Sequence, residues 1–148
     1  MKRIICVVIC LFLFTGSVFA LVNVNTDDST IELTVVVRGF RRLKGQVFLA
    51  IYNSAKSWTK EELVYEGAVI EIIDETATFF FPELPVGLYA IALFHDENKN
   101  VKLDTGLFGI PLERYAFSNN RRGLFGPPKY KDAAVLLNGN EKIEIICR

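Results

Sequence analysis

The feature that most constrains this chain is a series of short apolar runs, each about one strand long, divided by turn residues and never falling into a helical period. Ile31 to Arg38 alternates, with Ile31, Leu33, Val35 and Val37 on one side and Val36 the one apolar residue on the other. Gly45 to Tyr52 (GQVFLAIY) is apolar on both sides, which predicts a central strand, joined to the first as a hairpin by the basic connector Gly39 to Lys44. Ala68–Ile73 and Thr76–Phe81 flank Asp74-Glu75. The segment Pro82 to Gly87 reads as a rigid turn in which Gly87 is free to take a positive φ. Leu88 to His95 is almost continuously apolar, as in a strand covered on both faces. Asp132–Leu137 and Glu141–Cys147 close the series, and Asn138-Gly139 between them predicts a type I′ hairpin. These seven runs predict an all-β fold, a seven-stranded antiparallel Greek-key sandwich of immunoglobulin-like or transthyretin-like kind with one long loop. A closed barrel is the alternative.

The first residues read as an export signal. Lys2 and Arg3 precede an apolar run, Ile4 to Phe14, and Ser17-Val18-Phe19-Ala20 ends in a small residue. The run is about half the ~20 residues that a membrane-spanning helix needs. Cleavage after Ala20 is expected, giving a signal peptide at 1–20 and a single β-sandwich domain at 21–148, in the periplasm or outside the cell. An uncleaved anchor is the competing reading. With Cys6 and Cys10 removed, Cys147 stands alone and forms no internal disulfide; it shares a face with Ile143 and Ile145 and reads as a small buried apolar group. Seventeen basic and seventeen acidic residues leave no cationic surplus of the kind a nucleic-acid surface needs.

The chemistry gathers in Phe94 to Pro128, long, polar and punctuated by glycine, with the chain's one histidine at its start. Asp96, Asn98, Asn100 and Asp104 fall at relative positions one, three, five and nine, and the carbonyl of Lys102 at seven. Calcium takes six to eight oxygen ligands, and a tight loop with this spacing supplies several. The pattern then departs: Val101 stands where Gly makes the sharp turn, and Leu107 where a bidentate Glu completes the shell. A further carboxylate would come from Glu97, Glu113 or Asp132. The alternative needs no ion, the Asp and Asn side chains making Asx-turns with their own backbone.

Other residues invite other readings. His95 and Asp96 are neighbours on a strand and point to opposite faces, so they do not form a general-base pair by themselves. His95 is expected under the loop, bonded to a carbonyl. His95 with Ser118 and an Asp is a nominal triad, though no nucleophile-elbow glycines surround Ser118. Arg121-Arg122 beside Tyr115, Phe117 and Phe125 suits an anionic or aromatic ligand, or else a solvated turn over packed aromatics. In the Asn53–Leu63 segment, Trp58 is expected to lid the core, and Thr59 with Glu62 to form a capping box.

Several of these segments, taken together, resemble one family. They are Gly45 to Tyr52, Phe81 to Asp104, Phe108-Gly109-Ile110-Pro111, Glu113, Tyr115 to Asn120, Gly126-Pro127-Pro128 and Asp132-Ala133. In order, and over almost the whole chain after the signal, they are similar to the exported bacterial domain-of-unknown-function family 2141 (DUF2141). Val101 departs from the Gly of that pattern. The resemblance implies export and one β domain, and carries no reaction type. More loosely, Leu84 to Tyr89 is similar to the turn and strand of transthyretin-like and carboxypeptidase-regulatory-like sandwiches. The leading expectation is a non-enzymatic exported binding module, its ligand set drawn from His95, Glu113, Tyr115, Ser118, Asn119, Asn120 and Arg121. Its partner is a ligand or an envelope protein, with Ca2+ as the candidate cofactor and no nucleic acid or integral membrane segment involved. The rivals are a small secreted hydrolase built on the His95/Ser118 region and a structural accessory protein of the envelope.

Overall fold

The computed structural model describes residues 29–148, so the expected signal peptide at 1–20 lies outside the described residues. The described chain is mostly strand, in two sheets. The strands are β1 (Thr30–Arg38), β2 (Gln46–Tyr52), β3 (Glu66–Glu71), β4 (Thr76–Pro85), β5 (Gly87–Asp96), β6 (Tyr115–Phe117), β7 (Val135–Leu137) and β8 (Glu141–Ile146), with one short helix, α1 (Tyr130–Ala133). One sheet runs β4-β1-β8; the other runs β3-β2-β5-β6, with β7 also on β5.

The alternation foreseen for β1 is obeyed: Ile31, Leu33, Val35 and Val37 are buried. They meet Phe79, Phe81 and Leu84 of β4, Ile145 beside Cys147, and the inward residues Val47, Leu49 and Ile51 of β2 and Tyr89, Ile91 and Leu93 of β5 in one core shared by both sheets. A second, smaller core covers the outer face of β5. There Ala90, Phe117 and Ala133 pack with Trp58, Ala92 and Tyr130. Trp58 stands edge-on to Tyr52 and donates its indole N–H to the Pro128 carbonyl at 2.8 Å. The lid expected of Trp58 is therefore present, on this outer core.

Several local expectations give way to longer-range pairing. β1 and β2 form no hairpin: β1 pairs antiparallel with β4 and parallel with β8, whereas β2 lies in the other sheet between β3 and β5. The connector crosses between the sheets because Phe40 turns in against His95, ring centroids 5.3 Å apart, and packs on the core. The parallel β1–β8 pair also means the strands are not all antiparallel. Asn138-Gly139 likewise links two sheets, since β7 pairs with Gly87–Tyr89 of β5 and β8 with β1. Asp132 falls on α1, so only Val135–Leu137 of the expected Asp132–Leu137 strand is extended.

The Pro82–Gly87 turn is mostly strand. β4 continues to Pro85, and its register against β1 shifts between Ile31 and Leu33, opposite Pro82 and Glu83. β4 is an edge strand, where proline's missing N–H costs no ladder bond. Gly87 takes no positive φ; its requirement is space, because a Cβ there would sit 3.1 Å from the Tyr89 ring. The capping box is absent too. Lys60 occupies the cap position of the Glu61–Leu63 turn without a side-chain bond, and Thr59, at φ 58, donates instead to the Trp58 carbonyl.

Candidate functional site

The Phe94–Pro128 stretch begins where β5 ends. Alternation sends His95 inward and Asp96 outward at the same strand end, and both are fully buried. His95 Nε2 lies 2.7 Å from the Lys44 carbonyl, as expected of a histidine tucked beneath the loop, while Nδ1 meets no polar partner among the described residues. Gly45 follows Lys44 at φ 82, and a Cβ there would lie 2.2 Å from the Asp96 carbonyl oxygen. Only glycine lets the two backbones close this strand end.

From Asp96 the chain wraps around that carboxylate. Oδ1 accepts the Asn100 N–H at 3.1 Å; Oδ2 accepts the Val101 N–H at 2.8 Å and the Gln46 amide at 3.1 Å. Burial pushes the Asp96 carboxyl up, but these donors outweigh it and hold the group below its ordinary range. Asn98 Oδ1 accepts the Asn100 N–H, and Asn100 Oδ1 accepts the Lys102 N–H, at 3.0 and 2.9 Å. Val101 adopts φ 65, the left-handed turn for which the pattern prefers glycine. The Asx-turn reading of the loop is thus realised in its backbone.

The same turns bring the spaced side chains together. Asp104 Oδ2 accepts from the Asn98 amide at 2.7 Å and Oδ1 from the Asn100 amide at 2.9 Å. Glu113 reaches in from beyond Leu107. Its Oε1 takes the Glu97 N–H at 2.8 Å and its Oε2 the Asp104 N–H at 3.0 Å. One nearly buried carboxylate therefore clamps both ends of the loop. Glu97 points elsewhere, with its oxygens 3.7 Å from Arg41 and 3.9 Å from Arg42, and Asp132 sits on α1 by the far end of β5, where Tyr130 donates to the Leu88 carbonyl. Among the described residues no three His, Cys, Asp or Glu side chains converge as a metal-holding group. A cation here would rest on Asp96 and Asp104 together with the amide oxygens of Asn98 and Asn100 and the Lys102 carbonyl. Each amide oxygen has a second lone pair beyond the one engaged by backbone.

The remaining residues follow β6, which the sequence hid inside its long loop because only Tyr115–Phe117 pair with β5. Ser118 is fully buried; its hydroxyl donates to the Ala133 carbonyl at 2.6 Å and accepts the Ile91 N–H at 2.9 Å. Ile91 is four residues from His95 along β5, about 13 Å at the ~3.3 Å rise of a strand. The nominal triad is not assembled. Asn119, at φ 56, donates to the carbonyls of Asp132, Ala133 and Ala134 and so fastens α1. Asn120 donates to the Glu144 carbonyl and accepts the Ile146 N–H at 2.8 Å, mimicking a strand along the outer edge of β8. Tyr115 and Arg148 exchange backbone bonds beside it.

Of the sequence-predicted ligand set, Tyr115 and Arg121 line an open surface, whereas His95 and Ser118 are fully buried. The hollow beside Tyr115, Asn120, Arg121 and Arg148 has a volume of about 10 Å³, room for about one water. A larger hollow of about 250 Å³ lies on the outer face of β1 and β8, among Val36, Arg38, Lys142, Ile143 and Glu144. Sequence reasoning missed it, since those residues are neighbours only through the parallel β1–β8 pairing.

Two packed sheets with a polar loop held at one strand end define a β-rich module whose elaborated segment is the connection from β5 to β7. The chain belongs to DUF2141, a family described as an uncharacterized protein conserved in bacteria, whose model matches residues 35–145. No curated protein and no solved structure matches it.

Proposed function

We propose that the protein is an exported, non-enzymatic binding module that engages a ligand or envelope partner through its Phe94–Pro128 surface, with the Asp96–Asp104 loop ordered by calcium. The observation that carries this reading is the folding of the loop around its own oxygens: Asp96, Asn98, Asn100 and Asp104 lie within one or two hydrogen bonds of each other, and Val101 accepts the left-handed turn in place of glycine. A divalent cation would replace the Asn98 and Asn100 amide donors at Asp104 and balance the charges of Asp96 and Asp104. The engagement of both Ser118 and His95 with main-chain groups favours binding over hydrolysis. Placement outside the cytoplasm, where free calcium is plentiful, suits a weak site. A Greek-key, transthyretin-like arrangement of the two sheets belongs to the same reading.

Thermal unfolding in chelator and then across a calcium titration tests it. A ligand that binds the folded state alone raises stability by about 2.7 kcal/mol at a hundredfold excess over its dissociation constant. The expected result is a calcium-dependent rise in midpoint that is lost in Asp96→Ala and in Asp104→Ala. A midpoint unmoved up to millimolar calcium would leave an Asx-turned loop and remove the metal from the proposal.

A further inference from the structure

The six residues Gly123-Leu124-Phe125-Gly126-Pro127-Pro128 form a turn whose two large apolar side chains stand wholly in water, Leu124 96% and Phe125 103% exposed. The turn is closed and braced. A Cβ on Gly123 would lie 2.2 Å from the Gly126 carbonyl oxygen, and the far end is held by the Trp58 bond to Pro128. Its flanks are cationic. Arg121, Arg122, Lys129 and Lys131 are all exposed, and from Arg114 to Lys131 the sequence contains no Asp or Glu. Among the described residues none of these four has a carboxylate within ion-pair distance. Apolar side chains held out at a tip and flanked in sequence by exposed cations without ion-pair partners, on a chain with no overall positive charge, are complementary to one kind of surface.

We propose that this turn docks the protein peripherally on an anionic lipid bilayer, with Leu124 and Phe125 entering the headgroup boundary and the four cations meeting the lipid phosphates. The inference rests on the reading of Phe94–Pro128 as the working surface and names its partner. A protein pocket could receive Leu124 and Phe125, but it would not by itself call for cations on both sides of the tip. The chain also carries an internal control. Gly106-Leu107-Phe108-Gly109-Ile110-Pro111 repeats the Gly-Leu-Phe-Gly-x-Pro pattern and exposes Leu107 by 83% and Phe108 by 98%, yet its nearest charged residues in sequence are Asp104 and Glu113. Shared apolarity with opposite flanking charge separates an electrostatic membrane site from simple stickiness.

The full chain, in chelator, is sedimented with vesicles of phosphatidylcholine alone and with phosphatidylglycerol added. Partitioning is expected to rise at least tenfold with the anionic lipid and to fall as salt is raised. Leu124→Ser with Phe125→Ser should remove at least nine-tenths of the gain, and Phe108→Ser less than half. A second measurement reads the tip directly: with Trp58 kept in place, the fluorescence that Phe125→Trp adds over the unsubstituted protein should be quenched by brominated acyl chains in anionic vesicles only. Absence of quenching, or an equal loss from Phe108→Ser, overturns the inference. If lipid binding fails while the calcium-dependent shift persists, the membrane partner alone is wrong; if both fail, the reading of the surface falls with it.

Discussion

The inner face of β5 and the segment that follows β5 are held in place by different physics. Tyr89, Ile91 and Leu93 are three among many apolar residues of a core shared by both sheets, and each is secured by packing with neighbours from several strands. From Glu97 to Asn120 the chain is tied by single polar side chains that each satisfy two or three main-chain groups: Glu113 at Glu97 and Asp104, Ser118 at Ile91 and Ala133, Asn119 at α1, Asn120 at β8. Apolar packing is collective, so damage to it is felt by the whole fold. A polar clamp is local, so its loss should loosen one segment and leave the sheets paired.

The largest effect should come from the collective side. Phe79 is 1% exposed at the centre of the shared core, and Phe79→Ala is expected to cost about 3–5 kcal/mol in denaturant unfolding. A cost under ~1 kcal/mol would mean that the two sheets do not depend on a common core. Glu113→Ala comes next. It strands two backbone N–H groups that a carboxylate now holds, at about 1.5–3 kcal/mol for hydrogen bonds to a charged group. Hydrogen exchange should show the Glu97 and Asp104 amides losing protection while those of β1 and β2 keep theirs. Equal loss everywhere would break the distinction between collective packing and local clamp.

Asp96 sharpens the same contrast by acid. Its folded-state pKa lies below the ordinary value of 3.8, so its contribution to stability is complete above that value. It is lost as pH falls from about 4 through the lowered folded pKa. Asp96→Asn should flatten this part of the pH–stability curve while leaving the neutral-pH sheet signal in circular dichroism intact. An unchanged acid slope in Asp96→Asn would assign the transition to other carboxylates.

These contrasts also explain which parts of the molecule can be read from sequence. The inward set of β1 was legible, since period-two burial leaves a local trace in residue type. Strand partners were not. The Gly39–Lys44 connector and Asn138-Gly139 look like hairpin links, yet both cross between sheets, because β1 is paired on one side by β4 and on the other by β8, far away in sequence. Asp96, Asn98, Asn100 and Asp104 were legible as one loop by spacing, and the structure gathers them. The roles of Ser118, Asn119 and Asn120 were hidden. A polar residue that will serve as a buried bracket has the same local signature as one that will face a ligand. The exposed Gly-Leu-Phe-Gly tips were hidden for the opposite reason, as apolar residues in a loop are ordinarily read as packed.

The smallest expected effect falls at Asn120. β8 runs beside β1 with Ile143 and Ile145 in register with Val35 and Val37, while the Glu144 carbonyl and the Ile146 N–H face the open edge. Asn120 meets both of those groups with one amide, while Arg148, two residues beyond Ile146, pairs with Tyr115. Asn120→Ala should therefore cost only about 1 kcal/mol, since the freed groups are exposed and water replaces most of what is lost. Its more specific consequence is an opened strand edge next to Lys142, so sedimentation should show more concentration-dependent self-association than in the unsubstituted protein. Asn120→Asp keeps an acceptor for Ile146 but loses the donor to Glu144 and adds like charge beside it; it should be destabilised as Asn120→Ala is, yet show no added self-association because the charge guards the edge. If Asn120→Ala instead unfolds the protein, the clamp is part of the collective core and the contrast between the two regions fails at its weakest point.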